Sequence, residues 1–315
     1  MIAKNFIINA DEAGRGLKYI LNKYLSDEVT ATKIIYQYSV YYNNIFVAPA
    51  AKKNNKSLYI NLIKQLVAEL NSLNYTISSK YADKNKIAAK KGNFKIEDTT
   101  VIINVGAAVT CPSKNKGLCK VCGLCYAENA ERQYLNSLIY RLTQTIKFYS
   151  LPAEAIAQQL CRRRNIKFIR WNESGDVFDA QDLLKIRQVA EICYNKKGLI
   201  TYLYTAAGKH LKKYQTLYFK INISGQDYIA TPNLEDKHAD GLYCCGVCKF
   251  CLWCKFEFGL PCYVKYHGSG KPAGTGNDLR SAGIKYYHTF IQFNYYYNYE
   301  YLIKYGVGYR GGVAL

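Results

Sequence analysis

KFIRWNESGDVFDAQDLLKIRQVAEICYNKKGLITYLYT, residues 167–205, is the stretch on which the fold turns. Lys167–Trp171 is short and rich in β-branched and aromatic residues, so it reads as a strand. Asn172 to Asp176 is polar and contains a glycine, the composition of a turn that ends a strand. Asp179 then stands where a helix needs an N-cap acceptor. The following segment, Ala180–Tyr194, places Leu183, Ile186, Ala190 and Cys193 on one helical face. Gly198–Thr205 is a second strand. Strand, helix, strand in this order is a βαβ unit with parallel strands.

The same alternation extends in both directions. Upstream, Val101–Val105 reads as a strand and Ala127–Phe148 as a helix, with Leu135, Leu138, Ile139, Leu142 and Ile146 aligned. A further helix carries Ile156, Ala157, Leu160 and Cys161 and ends in Arg162, Arg163 and Arg164. Downstream, a short polar helix over Lys209–Tyr214 precedes a strand over Thr216–Ser224. The expected class is therefore α/β. Right-handed crossovers place every parallel strand's C-terminal end on one side, where such folds hold their sites.

Four regions are expected. Residues 1–100 form an α-rich N-terminal extension with one clear helix, Leu58–Leu73, striped by Leu62, Ile63, Leu66, Val67, Leu70 and Leu73, and then an exposed Lys-rich connector, Lys80–Lys95. Residues 101–232 are the βα core with the first cysteine group. Residues 233–268 carry the second group, and 269–315 are a Gly- and Tyr-rich tail.

The 315 residues carry 43 Lys and Arg against 23 Asp and Glu, a formal charge of +20. Two thiolate-ligated metal centres of about −2 each would bring this to roughly +16. That sign makes nucleic acid a candidate partner. Tyr, Lys, Asn and Ile have AT-rich codons, so part of the Tyr and Lys excess reflects coding bias. The start, MIAKNFIINADEAG, lacks the apolar core of a signal peptide, and no run approaches the ~18 apolar residues of a membrane span. A cytoplasmic protein without a membrane partner is expected. Its 12 cysteines then point to metal or catalysis rather than to disulfides.

Ten of those cysteines fall in two windows. CPSKNKGLCKVCGLCY holds Cys111, Cys119, Cys122 and Cys125. CCGVCKFCLWCKFEFGLPC holds Cys244, Cys245, Cys248, Cys251, Cys254 and Cys262. Each C-x2-C step lets two thiolates of one turn reach the same metal. Runs of such steps with a remote cysteine beside a proline, here Cys111-Pro112 and Pro261-Cys262, are closer to iron–sulfur ligation than to the paired C-x2-C of structural zinc. Two 4Fe-4S clusters are the expectation and zinc is the alternative, with Cys244 or Cys262 as the surplus thiol. Cys161 and Cys193 lie on apolar helical faces and read as core. His210, His238, His267 and His288 show no paired spacing. No phosphate-binding loop, HExxH or GxSxG motif is present.

Cys111, the Cys122-Gly-Leu-Cys125-Tyr-Ala127 run, Arg132, the turn Ser174-Gly175-Asp176 and the pair Tyr204-Thr205, in that order over residues 101–265, resemble the phage gene-product-88 family. That family in turn resembles the radical S-adenosylmethionine enzymes. The resemblance implies a partial parallel (βα) barrel-like core. It also implies a four-iron cluster on Cys122, Cys125 and either Cys111 or Cys119, with S-adenosylmethionine on an open iron. Glu173, Ser174, Gly175 and Asp176 would stand at the cofactor-contacting turn, and Thr205, Asn222 and Ser224 would face the same cavity. The second window, through Cys245, Cys248, Cys251, Cys254 and Cys262, would hold an auxiliary cluster. An enzyme of this type takes its reducing equivalent from an electron donor, acts on nucleic acid or a related substrate, and works in the host cytoplasm. If all four cysteines of the first window ligate, no iron is left open, and the alternative is a non-catalytic metal-stabilised module that binds nucleic acid.

Overall fold

The computed structural model describes residues 17, 55–72, 86–87, 89–92, 96, 98–119, 125–225, 227–231, 242–243, 254–255 and 262–265. Helix α1 (Lys56–Ser72) buries Tyr59, Leu62, Ile63, Leu66 and Leu70 along one face, as the apolar spacing predicts. Leu73, counted in that stripe, lies outside the described residues. The Tyr59 ring lies 4.9 Å from Phe178 and 6.3 Å, edge-on, from Tyr149. Lys56 bridges Asp179 and Asp182 at 3.0 and 2.5 Å. The helix is thus fastened onto the βα core.

A five-stranded sheet follows in the order β1 (Lys90–Lys91), β2 (Thr100–Val105), β3 (Phe168–Gly175), β4 (Ile200–Thr205), β5 (Phe219–Ile223). β1 is antiparallel to β2, and the other pairings are parallel. Among the described residues no ladder joins β5 to β1, so the sheet is open there. The expected Lys-rich connector is partly this edge strand. Ile87 and Ala89 are buried while Lys90 and Lys91 are exposed, and lysines are what an edge strand tolerates.

Between β2 and β3 lie α2 (Pro112–Asn115), α3 (Tyr126–Gln133), α4 (Leu135–Ser150) and α5 (Ala153–Cys161); α6 (Ala180–Lys197) connects β3 to β4. The single helix expected over 127–148 is two, because Tyr134 takes an extended conformation (φ −134°, ψ 99°). No proline or glycine marks that break. Asp179 caps α6 as expected, accepting from the N–H groups of Gln181 and Asp182 at 3.0 and 3.1 Å. Gly198, at φ 65°, ends it. Lys209–Tyr214 is a 3-10 turn.

Strand alternation divides the sheet into two faces. Val101, Ile103, Val105, Ile169, Trp171, Leu203, Phe219, Ile221 and Ile223 pack with the inner sides of α5 and α6, including Cys193, as one core. On the other side, register aligns Ile102, Arg170, Tyr202 and Lys220 in one row, with Tyr204 opposite Asn222 in the next. The Arg170 guanidinium sits 4.8 Å over the Tyr204 ring.

The segment expected to turn away after Trp171 instead continues as strand. Ile103 pairs with Trp171 and Val105 with Gly175, so β3 bulges beside β2. Asn172 takes a left-handed conformation there, φ 61°. Side chains replace the lost ladder: Val105 N–H donates to Asn172 Oδ1 at 3.2 Å, and Ser174 N–H to Asn104 Oδ1 at 2.8 Å. A second, three-stranded sheet has β6 (Tyr228–Thr231) and β7 (Leu242–Tyr243) on either side of β8 (Cys262–Lys265), all parallel. Among the described residues no helix is long and apolar enough to cross a membrane.

Candidate metal centre

β2 delivers the first cysteine window to the C-terminal edge of the sheet. Gly106, at φ 89°, turns the chain out of the strand, and Cys111 N-caps α2 with Pro112 in its first turn. Cys125 likewise N-caps α3. Neither sulfur makes a side-chain cap hydrogen bond, but nearby backbone N–H groups at both helix starts act to lower the thiol pKa: that of Lys114 on Cys111, and those of Glu128 and Ala127 on Cys125. Such N–H groups and the positive end of a helix favour a thiolate. Burial, followed by the Asp176 carboxylate, nevertheless holds the Cys111 thiol well above its ordinary value, and the charges of Cys125 and Cys119 add to this. Burial also pushes Cys125 up, against the N–H groups and Lys114. A cation placed among these sulfurs would reverse that balance. Cys122 lies outside the described residues. Among those described, no group of three or more His, Cys, Asp or Glu converges closely enough to hold an ion.

Three carboxylates fasten the loop. Asp176, 2% exposed, accepts from Ser113 Oγ at 2.6 Å and from the N–H groups of Val177 and Ala206, both at 2.8 Å. Thr205 bonds it as well, and burial outweighs these donors in pushing its carboxyl above the usual range. Asp176 thus ties β3 and β4 to the turn that follows Cys111. Glu131, fully buried on α3, accepts from the N–H groups of Ala108 and Val109 at 2.8 and 3.2 Å and from Ser174 Oγ at 3.1 Å. Arg141 Nη1 donates to it at 2.8 Å and also to the Ala127 carbonyl. Glu128 pairs with Lys114 and, at 2.6 Å, with Arg132. Burial works to raise the Glu128 carboxyl, but Lys114 and Arg132 outweigh it and hold it below the carboxylate range.

The glycine of the Ser-Gly-Asp sequence has a steric reason. A Cβ on Gly175 would stand 2.1 Å from the Gly106 carbonyl oxygen, and its φ is 73°. The two strand ends touch backbone to backbone, which only glycine permits.

Of the positions singled out from sequence, Ser174, Gly175, Asp176 and Thr205 meet at the first cysteine loop. Thr205 Oγ1 also accepts from Ala207 N–H at 3.0 Å. Glu173 is partly buried beside them in the bulge. Ser224 donates its backbone N–H to the Thr205 carbonyl at 2.8 Å. Asn222 belongs to the other face, where its Nδ2 donates to the carbonyls of Leu203 and Cys254 at 3.1 and 2.8 Å. That contact lays part of the second cysteine window on the polar face. Lys255 is buried there, its ammonium 4.0 Å over the Phe168 ring. Cys262 opens β8, while Cys244, Cys245, Cys248 and Cys251 lie outside the described residues. Cys193 is core, as expected, and Cys161 packs against it.

Sequence reasoning missed Glu131, Arg141, Asn104 and Gln144. Gln144 Oε1 accepts from Asn104 Nδ2 at 2.8 Å, fixing the residue that holds Ser174. The available signal was α3 itself, Tyr-Ala-Glu-Asn-Ala-Glu-Arg-Gln, a charged helix directly after a cysteine run, whose Glu128 and Glu131 are both buried.

No curated protein and no solved structure matches the chain. A family model described as gene product 88 matches residues 69–231. The match takes in the five-stranded sheet, the first cysteine loop and the carboxylates that fasten it. It covers just over half of the chain, and the chain belongs to the gene product 88 family of phage proteins.

Proposed function

We propose that the first cysteine window holds an iron–sulfur cluster at the C-terminal edge of the sheet, with Cys111, Cys119, Cys122 and Cys125 as its ligand set. The reading rests on one observation: Cys111 and Cys125 stand at the N-cap positions of two helices, in a loop fastened by the buried carboxylates of Asp176 and Glu131. A buried, rigidly held surround is what positions and protects such centres. Cys245, Cys248, Cys251, Cys254 and Cys262 supply a second centre, auxiliary to the first, beside the polar face that Cys254 reaches.

A bound cluster would supply electron transfer or, with one iron open, a binding point for S-adenosylmethionine. The chain's own contribution is to hold the sulfurs. Ser174 and Asp176 serve that end, since their side chains are engaged with Glu131, Ser113 and the start of the β4 loop. In the radical-enzyme reading the core is a partial barrel, an electron donor completes the system, and the chain acts on a nucleic acid or related substrate in the host cytoplasm. The alternative is a zinc- or cluster-stabilised nucleic-acid-binding module. A closed set of four thiols in one loop and the +20 charge favour it.

The test is a pair of variants prepared without oxygen, Cys111→Ser and Cys125→Ser. Each is expected to lose about half of the bound iron, one centre of two. Full retention in both sinks the assignment. Titration of the wild type with S-adenosylmethionine then separates the readings: a perturbed cluster spectrum, absent in Cys125→Ser, marks the open-iron enzyme, and an unchanged spectrum marks the closed centre.

A further inference from the structure

A groove of about 580 Å³ lies between the edge strand β1 and the start of α4, with no described residue of the cysteine loop in its lining. Lys90 and Lys91 line it from β1, Arg163 from the turn after α5, and Asn136, Ser137 and Tyr140 from α4. No acidic residue lines it, and the first turn of α4 contains none. Lysines on an edge strand by themselves only discourage edge-to-edge pairing. Arg163 is different, because it comes from another element and is fixed at the start of that strand, its Nη2 donating to the carbonyl of Ala89, the residue before β1, at 2.9 Å. Arg162, Arg164 and Lys167, all exposed, continue the positive surface from that turn to the start of β3. Tyr134, 62% exposed, stands at the N-terminus of α4.

Three cations from two separate elements, amide and hydroxyl groups and a tyrosine, with exposed Tyr134 two residues before Asn136, are the chemistry of a phosphodiester backbone with unstacked bases. We propose that this groove binds single-stranded nucleic acid, with Lys90, Lys91 and Arg163 on its phosphates. The assignment deepens the nucleic-acid part of the functional reading and rests on it, but it is independent of the metal.

The experiment is fluorescence anisotropy of a labelled single-stranded oligonucleotide with the full, metal-loaded chain over a range of salt. Lys90→Glu/Lys91→Glu/Arg163→Glu is expected to weaken binding at least about tenfold and to lower the salt slope by about 2, for three lost contacts at ~0.7 each. The pair Lys64→Glu/Lys196→Glu, which makes the same charge change as Lys90→Glu/Lys91→Glu but on exposed helix positions, is expected to stay within about twofold. Lys90→Glu/Lys91→Glu alone keeps the test valid if the Arg163 variant fails to fold. Equal weakening in the control pair, or no binding by the wild type, overturns the proposal. Iron content measured on the same samples shows whether the metal reading stands or falls separately.

Discussion

The two faces of the five-stranded sheet are made by alternate residues of the same strands, yet they are chemically unlike. Behind lie Val101, Ile103, Ile169, Trp171, Leu203, Phe219 and Ile221, closed over by α5 and α6. In front, beside the apolar Ile102, lie Asn104, Arg170, Tyr202, Lys220 and Asn222, of which Tyr202, Lys220 and Asn222 are between 2% and 6% exposed. Burying such groups is unfavourable unless they are paired. The mixed face, with the cysteine loop at its C-terminal edge, is where the proposed function places its site. The back face makes the fold and the front edge makes the site.

Variants can separate the two. Trp171→Ala is expected to have the largest effect, a loss of about 3–5 kcal/mol in denaturant unfolding, while metal per folded chain stays unchanged. Glu131→Ala, at the front edge, should rival it at about 3–5 kcal/mol, since Arg141 would remain buried without its carboxylate. Unlike Trp171→Ala, it should also strip metal from the first centre, because the N–H groups of Ala108 and Val109 lose their acceptor. If Trp171→Ala empties the centre as well, the division between faces fails.

Asp176→Asn is a finer cut. An amide oxygen can keep both Ser113 and Ala206, which share one carboxylate oxygen, but the amide NH2 then faces the Val177 N–H, so a loss of about 1–3 kcal/mol is expected. The first centre should become easier to remove with a chelator, and the second should not. Asn222→Ala gives the smallest effect, about 1 kcal/mol for lost hydrogen bonds. It should loosen the second centre alone, through the Cys254 carbonyl, as limited proteolysis and metal release would show.

What was legible in the sequence follows the same line. The back face was readable because apolar alternation and the 3.6-residue period are local patterns: Val101 to Val105, the stripe of α6 and its Asp179 cap all stand where expected. The cysteine loop and its place after β2 were readable from spacing. The front edge was not, because its geometry is made by partners far apart in the chain. Asn104 meets Ser174, Glu131 meets Ala108, and Ser113 meets Asp176. The bulge that turned an expected loop into strand depends on those pairings. So does the role of Asp176, which binds the cysteine loop. The break at Tyr134 carries no local signal, and it lets α3 and α4 bring Glu131 and Arg141 together from different axes.

The central claim is that this edge is a metal centre of the iron–sulfur type. The most direct test is iron, sulfide and zinc analysis of the wild-type chain purified without oxygen. The account predicts roughly eight iron and eight sulfide per chain for two four-iron centres. Roughly two zinc and no sulfide, in a colourless protein, would contradict it.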